Sequence, residues 1–209
     1  MGTTASASDL IRRCRQGEAA AREELFNRYR HYLRLLAEAQ LGRYLRAKCD
    51  PSDLVQQTLL EAHRDFAGFT GKHESELLAW LRRILAHNLF NEARYQTAQQ
   101  RAASREVSLE QVVAGVDSSS MTLGRGLAAD TPSPSQNAAR HEAAVRLADA
   151  LSRLPADYQT VLLLRIFEGL PAEEVARHMD RTAGAVRMLQ LRALTALREQ
   201  LGESTDERR

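Results

Sequence analysis

Glycine, proline, cysteine and aromatic residues are all scarce in this chain of 209 residues, with 11 Gly, 5 Pro, 2 Cys and 5% aromatics. So few turn-formers argue against a β protein built of many short strands. Cys14 and Cys49 have no partner cysteine or histidine at metal-ligand spacing, which excludes a disulfide scaffold and a zinc module and leaves free thiols in a reducing cytosol. No apolar run is long enough to span a bilayer, and the first ten residues lack the apolar core of a signal peptide. Gly2 to Ser6 fit an acylation pattern only formally, and such short matches arise by chance. A Gly-rich phosphate loop, a metal-ligand cluster and a nucleophile motif are also missing, so an enzyme, a cofactor and a small-molecule substrate are not expected. The net charge of +2 does not mark a nucleic-acid binder, so the distribution of charge has to be read instead. The expectation is a cytoplasmic protein with no membrane association.

What is present is helix-forming. Apolar residues make up 44% of the chain, with Leu, Ala, Arg and Glu abundant, and the expected fold class is all-α. Ser8 can cap a short helix over 9–16 that Gly17 ends, and a long helical pattern follows from Glu18 through Leu25, Tyr29, Tyr32, Leu33 and Leu36. Asp50-Pro51-Ser52-Asp53 is a helix-start signal, with proline in the first turn and acids at the positive end. A further helix is predicted over 74–94, with Leu77, Leu78, Leu81, Ile84, Leu85 and Leu89 inside. Residues 8–103 therefore read as a helical bundle. Residues 104–137 hold Ser118-Ser119-Ser120, Gly115, Gly124, Gly126 and a Pro/Ser run near 130–135, and read as a flexible linker. Residues 138–201 read as a second helical domain, cut at Pro155, with a polar, frayed tail from Gly202.

Within that second domain, residues 170–198 suggest two helices joined by a tight turn. Pro171 suits a first helical turn, and Glu173 and Glu174 favour its positive end. Asp180-Arg181 breaks the pattern and Thr182 is a good N-cap. Val186, Leu189, Ala193 and Leu197 then form a buried stripe, while Gly184, Arg187, Met188, Arg192, Thr195 and Arg198 take the opposite face. Residues 182–198 contain no acid. Either a helix-turn-helix that enters a major groove or an ordinary helical hairpin with a solvated basic face fits these residues.

Charge divides the first domain. Residues 50–66 are net acidic through Asp50, Asp53, Glu61 and Asp65, and residues 82–105 net basic through Arg82, Arg83, Arg94, Arg101 and Arg105. The two helices could attract each other or face different partners. In the basic segment, arginines alternate with amides and aromatics, as a reader of single strands requires. His87, Asn88 and Asn91 are candidate base readers and Trp80 a core residue.

Four motifs in order, Asp50-Pro-Ser-Asp-Leu-Val-Gln-Gln-Thr58, Ala79-Trp-Leu-Arg-Arg-Ile84, Leu154-Pro155 and Glu173-Glu-Val-Ala176 with Gly184-Ala-Val-Arg187, resemble those of bacterial sigma factors. The resemblance is to the two-domain extracytoplasmic-function (ECF) class of the sigma-70 family, over roughly residues 15–101 and 140–200. It implies that Asp50, Asp53, Leu54, Gln56 and Gln57 dock on the clamp helices of core RNA polymerase. It also implies that Arg83, His87, Asn88, Asn91 and Arg94 open and hold the −10 promoter strand, and that the linker threads the polymerase channels. Thr182, Ala183, Gly184, Arg187, Met188, Leu191 and Arg192 would read the −35 duplex. An anti-sigma factor is a further candidate partner.

The sequence departs from the family at Gln57, often Glu; at Asp180, where a turn glycine is common; and at Leu189 and Leu191, where many relatives carry Arg and His. The strand-reading Asn of the family falls on His87 here, with Asn88 one residue on, so either is a candidate. The alternative function is a stand-alone helix-turn-helix regulator with an N-terminal sensor or dimerisation domain, which would bind a palindrome as a dimer without polymerase.

Overall fold

A computed structural model describes residues 5–44, 49–99, 108–125 and 134–206. All regular structure among these residues is helical, and the chain divides into two compact units, Met1–Val145 and Arg146–Arg209.

In the first unit α1 spans Ala7–Arg15, α2 Ala19–Tyr44, α3 Pro51–Asp65 and α4 Glu74–Gln99. Helix α1 begins two residues earlier than Ser8 would place it. Ser6 is the N-cap: its hydroxyl accepts from the Asp9 amide at 3.1 Å and donates to the Asp9 carboxylate at 2.8 Å. Helix α3 starts where the sequence signals it, with Asp50 Oδ1 accepting from the Ser52 amide and Pro51 in the first turn. The core between α1, α2, α3 and α4 is built on Leu10, Ile11, Leu25, Phe26, Tyr29, Leu33, Leu36, Leu77, Leu78, Leu81 and Leu85, all fully buried. The loop before α4 closes on that core. Arg15 donates to the Phe69 and Gly71 carbonyls, and a Cβ at Gly71 would lie 2.5 Å from the Phe69 ring, so no side chain fits there.

The stretch expected as a flexible linker is in part a packed helix. Helix α5 spans Leu109–Arg125 and lies against α4 and α2, with Val112, Val116 and Leu123 buried. Its serines do not loosen it. Ser119 and Ser120 are themselves buried, small enough for α5 to approach α2 closely, and their hydroxyls meet Gln40 Nε2 at 2.6 Å and the Tyr32 hydroxyl at 2.7 Å. Gln40 also donates to the Gly115 carbonyl at 3.0 Å, and Arg82 donates to Asp117 at 2.7 Å and to Tyr32 at 3.2 Å. Of the remaining predicted linker, 104–107 and 126–133 lie outside the described residues, and 134–137 form the first turn of a further helix rather than a loop.

Helix α6, Pro134–Ser152, runs across the boundary between the units. In the second unit α7 spans Ala156–Leu162, α8 Ala172–His178 and α9 Ala183–Asp206. A π-helical turn over Leu163–Phe167 follows α7, and Gly169 at φ 67° reverses the chain. Pro171 is the N-cap of α8 rather than a residue of its first turn, and α9 continues past Gly202, which was expected to begin a frayed tail. Val161, Leu162, Val175, Val186, Ala193 and Leu197 form the core that holds α7 and α8 on α9.

Candidate nucleic-acid interface

The turn between α8 and α9 is fixed by backbone bonds. The Arg181 amide bonds the Ala176 carbonyl at 2.9 Å across Asp180, which adopts φ 50°. This is the left-handed helix-ending geometry usually given to glycine, and Asp tolerates it better than most residues. Thr182 then caps α9, its hydroxyl accepting from the Ala185 amide at 3.2 Å. With Val186, Ala193 and Leu197 committed to the core, Gly184, Arg187, Met188, Leu191, Arg192 and Thr195 are left exposed, and Ala183 is half-buried. Arg187 donates to Glu173 of α8 at 2.7 Å, a solvent-facing pair that a phosphate or base edge can replace at little cost. Leu189, placed in the buried stripe from sequence, is only half-buried.

The basic face of α4 is narrower than the sequence implied. Arg83, His87, Asn91 and Arg94 are exposed, and Arg94 lies 5.7 Å over the Phe90 ring. Arg82 belongs to the interior: its side chain is 12% exposed and serves Asp117 and Tyr32. Asn88 does not share the exposed face either. It is 8% exposed, and its Nδ2 donates to Thr58 Oγ1 at 3.3 Å and Glu61 Oε2 at 3.2 Å. The reason is helical phase: residue 88 follows Leu81 and Leu85 on the core side, whereas 83, 87, 91 and 94 share the opposite side. An open cleft of about 330 Å³ lies beside this face, lined by Trp80, Arg83, Ile84, His87, Glu61 and, from α5, Leu109 and Val113. Trp80 is half-buried and stacks on Phe69 with ring centroids 5.0 Å apart, so it is both a core residue and a wall of the cleft.

On α3, Asp50, Asp53, Gln56 and Gln57 are exposed, and Leu54 is not. At 6% exposure Leu54 belongs to the buried stripe with Val55, Thr58, Leu59 and Ala62 rather than to the exposed side of α3. Leu60, in contrast, is 58% exposed beside Gln56. Its signal was an apolar residue off the stripe that Leu54, Val55, Leu59 and Ala62 define. Gln57 Nε2 donates to Glu61 Oε1 at 2.7 Å, so Gln57, Glu61, Asn88 and Thr58 form one polar chain joining α3 to α4.

A family model described as ECF sigma factor matches residues 4–205, both units included. The chain belongs to the ECF sigma factor family. This sigma factor is 32% identical over 184 residues to the ECF RNA polymerase sigma-E factor of Haemophilus influenzae, covering 88% of this chain and 89% of the relative. It is 27% identical over 188 residues to the RNA polymerase sigma-H factor of Pseudomonas aeruginosa, covering 90% of each. Among solved structures it is similar to a chain of the RsbN–BldN complex, with TM-score 0.32 and 23% identity over 90% of this chain and 97% of that one. Among the described residues of the sigma factor, no helix is long and apolar enough to cross a membrane.

Proposed function

We propose a division of labour between the two units of this sigma factor. The chain directs transcription initiation, with core RNA polymerase and promoter DNA as its partners. The first unit docks on polymerase through the exposed side of α3, where Asp50, Asp53, Gln56 and Gln57 supply acid and amide groups and Leu60 an apolar one. Its α4 face holds the opened −10 strand. Arg83 and Arg94 meet phosphates, while His87 and Asn91 read base edges beside the cleft walled by Trp80. The second unit reads the −35 duplex with α9. Capture of unstacked bases offsets a cost of a few kcal/mol per base, so strand opening requires binding alone and polymerase supplies the chemistry.

The observation that carries this reading is the exposure of His87 between Arg83 and Asn91, while the polar side chain next to it, Asn88, is occupied internally. A stand-alone regulator is not favoured, because the family match runs through the first unit as well as the helix-turn-helix. Permanganate reactivity of promoter thymines tests the strand assignment. His87→Ala should lower that reactivity while closed-complex binding stays near wild type. Full reactivity in the variant would overturn the role given to His87.

A further inference from the structure

Two large apolar side chains stand on the face of α9 that is left for the duplex. Met188 is 52% and Leu191 58% exposed, three residues apart and therefore on one side of the helix. Arg187 precedes the first and Arg192 follows the second, and no acid occurs between 182 and 198. A hydrophobic protein groove would have to strip water from both arginines to reach these residues. Duplex DNA offers phosphates to the arginines and, in the major groove, one apolar group: the C5 methyl of thymine.

We propose that Met188 and Leu191 are specificity-determining residues that read thymine methyl groups in the upstream promoter element. This inference rests on α9 being the helix that enters the duplex. Three residues advance about 4.5 Å along a helix, against about 3.4 Å between successive base pairs. The two methyls therefore lie one or two base pairs apart. Leu191, with its branched and stiffer side chain, imposes the stricter requirement, and the flexible Met188 the looser one.

Selection from a random duplex library with the full chain and core RNA polymerase isolates the upstream element. Each thymine in it is then replaced by deoxyuridine, which pairs identically and lacks only the C5 methyl. Two replacements, one or two base pairs apart, should each weaken wild-type binding about fourfold, the worth of one buried methyl. Leu191→Ala should abolish the sensitivity at one of these positions and Met188→Ala at the other. Both sites are exposed and alanine favours helix, so the variants keep α9. Binding indifferent to every deoxyuridine, or equally sensitive in both variants, would overturn the proposal. Failure to select any upstream duplex would instead overturn the assignment of α9 as the reading helix, and this inference with it.

Discussion

Replacing Asn88 by alanine separates a structural amide from a base-reading one. In the folded chain its Nδ2 makes two hydrogen bonds, one to Glu61 at 3.2 Å, the long end of the usual range, and one to Thr58 at 3.3 Å, just beyond it. Neither partner is stranded by its loss. Thr58 still donates to the Leu54 carbonyl at 2.7 Å, and Glu61 keeps Gln57 and reaches water. The expected cost is therefore near the lower end for two bonds, one of them to a charged acceptor, about 1–2 kcal/mol. Asn88→Asp should cost more, because it sets a second carboxylate beside Glu61, and the excess should shrink as the pH falls and one of the pair takes a proton. The chain has a single tryptophan, Trp80, on α4 in the first unit, so urea titration followed by tryptophan fluorescence reports the unit that matters. An unchanged midpoint for Asn88→Ala, together with slowed open-complex formation, would refute the reasoning and return Asn88 to the candidate strand readers.

Further outcomes are expected at four other places. Gln40→Ala removes the bonds to Gly115 and Ser119, so amide exchange along Val112 to Leu123 should speed up while α3 stays protected; equal protection in both proteins would show that α5 is held by its apolar residues alone. Asp180→Gly should leave thermal stability level or raise it by up to about 1 kcal/mol by relieving φ 50°, whereas Asp180→Val should lower it by more than that. Burial, with the Arg82 charge nearby, holds His141 below its ordinary value of 6.5, so the unfolded chain takes up the proton first. Stability of the first unit should therefore fall as the pH drops below about 6.5, less steeply in His141→Leu, as urea midpoints between pH 5 and 7.5 would show. Asp53→Ala with Gln56→Ala should weaken core polymerase binding by about tenfold in a fluorescence-anisotropy titration, while stability falls by no more than about 1 kcal/mol from the lost first-turn acid of α3, since both side chains are exposed.

Legibility in the sequence followed how local each signal is. The starts of α3 and α9 could be read because Asp50-Pro51 and Thr182 act within their own first turns. The exposed face of α9 followed from the same periodicity that buries Val186, Ala193 and Leu197. Helix α5 was hidden because Gly115 and the three serines resemble loop residues. Val112, Val116 and Leu123 nevertheless keep helical spacing, with Ser119 and Ser120 at the core positions between them. Whether a serine is a loop residue or a small buried contact depends on Tyr32 and Gln40, about eighty residues away. Asn88 presents the same difficulty. An amide suits a base edge and an interior acceptor equally, and only the folded placement of Thr58 and Glu61 decides between them. The burial of Leu54 was legible, since it falls in the apolar stripe of its own helix.

Run-off transcription with purified core RNA polymerase on genomic fragments tests the division of labour most directly. Discrete transcripts should appear only when the full chain is added. Arg187→Ala should reduce them by weakening upstream duplex binding about 5- to 150-fold, while core binding is retained. A chain that instead bound a palindromic duplex tightly as a dimer, and left core polymerase without a start site, would contradict the account.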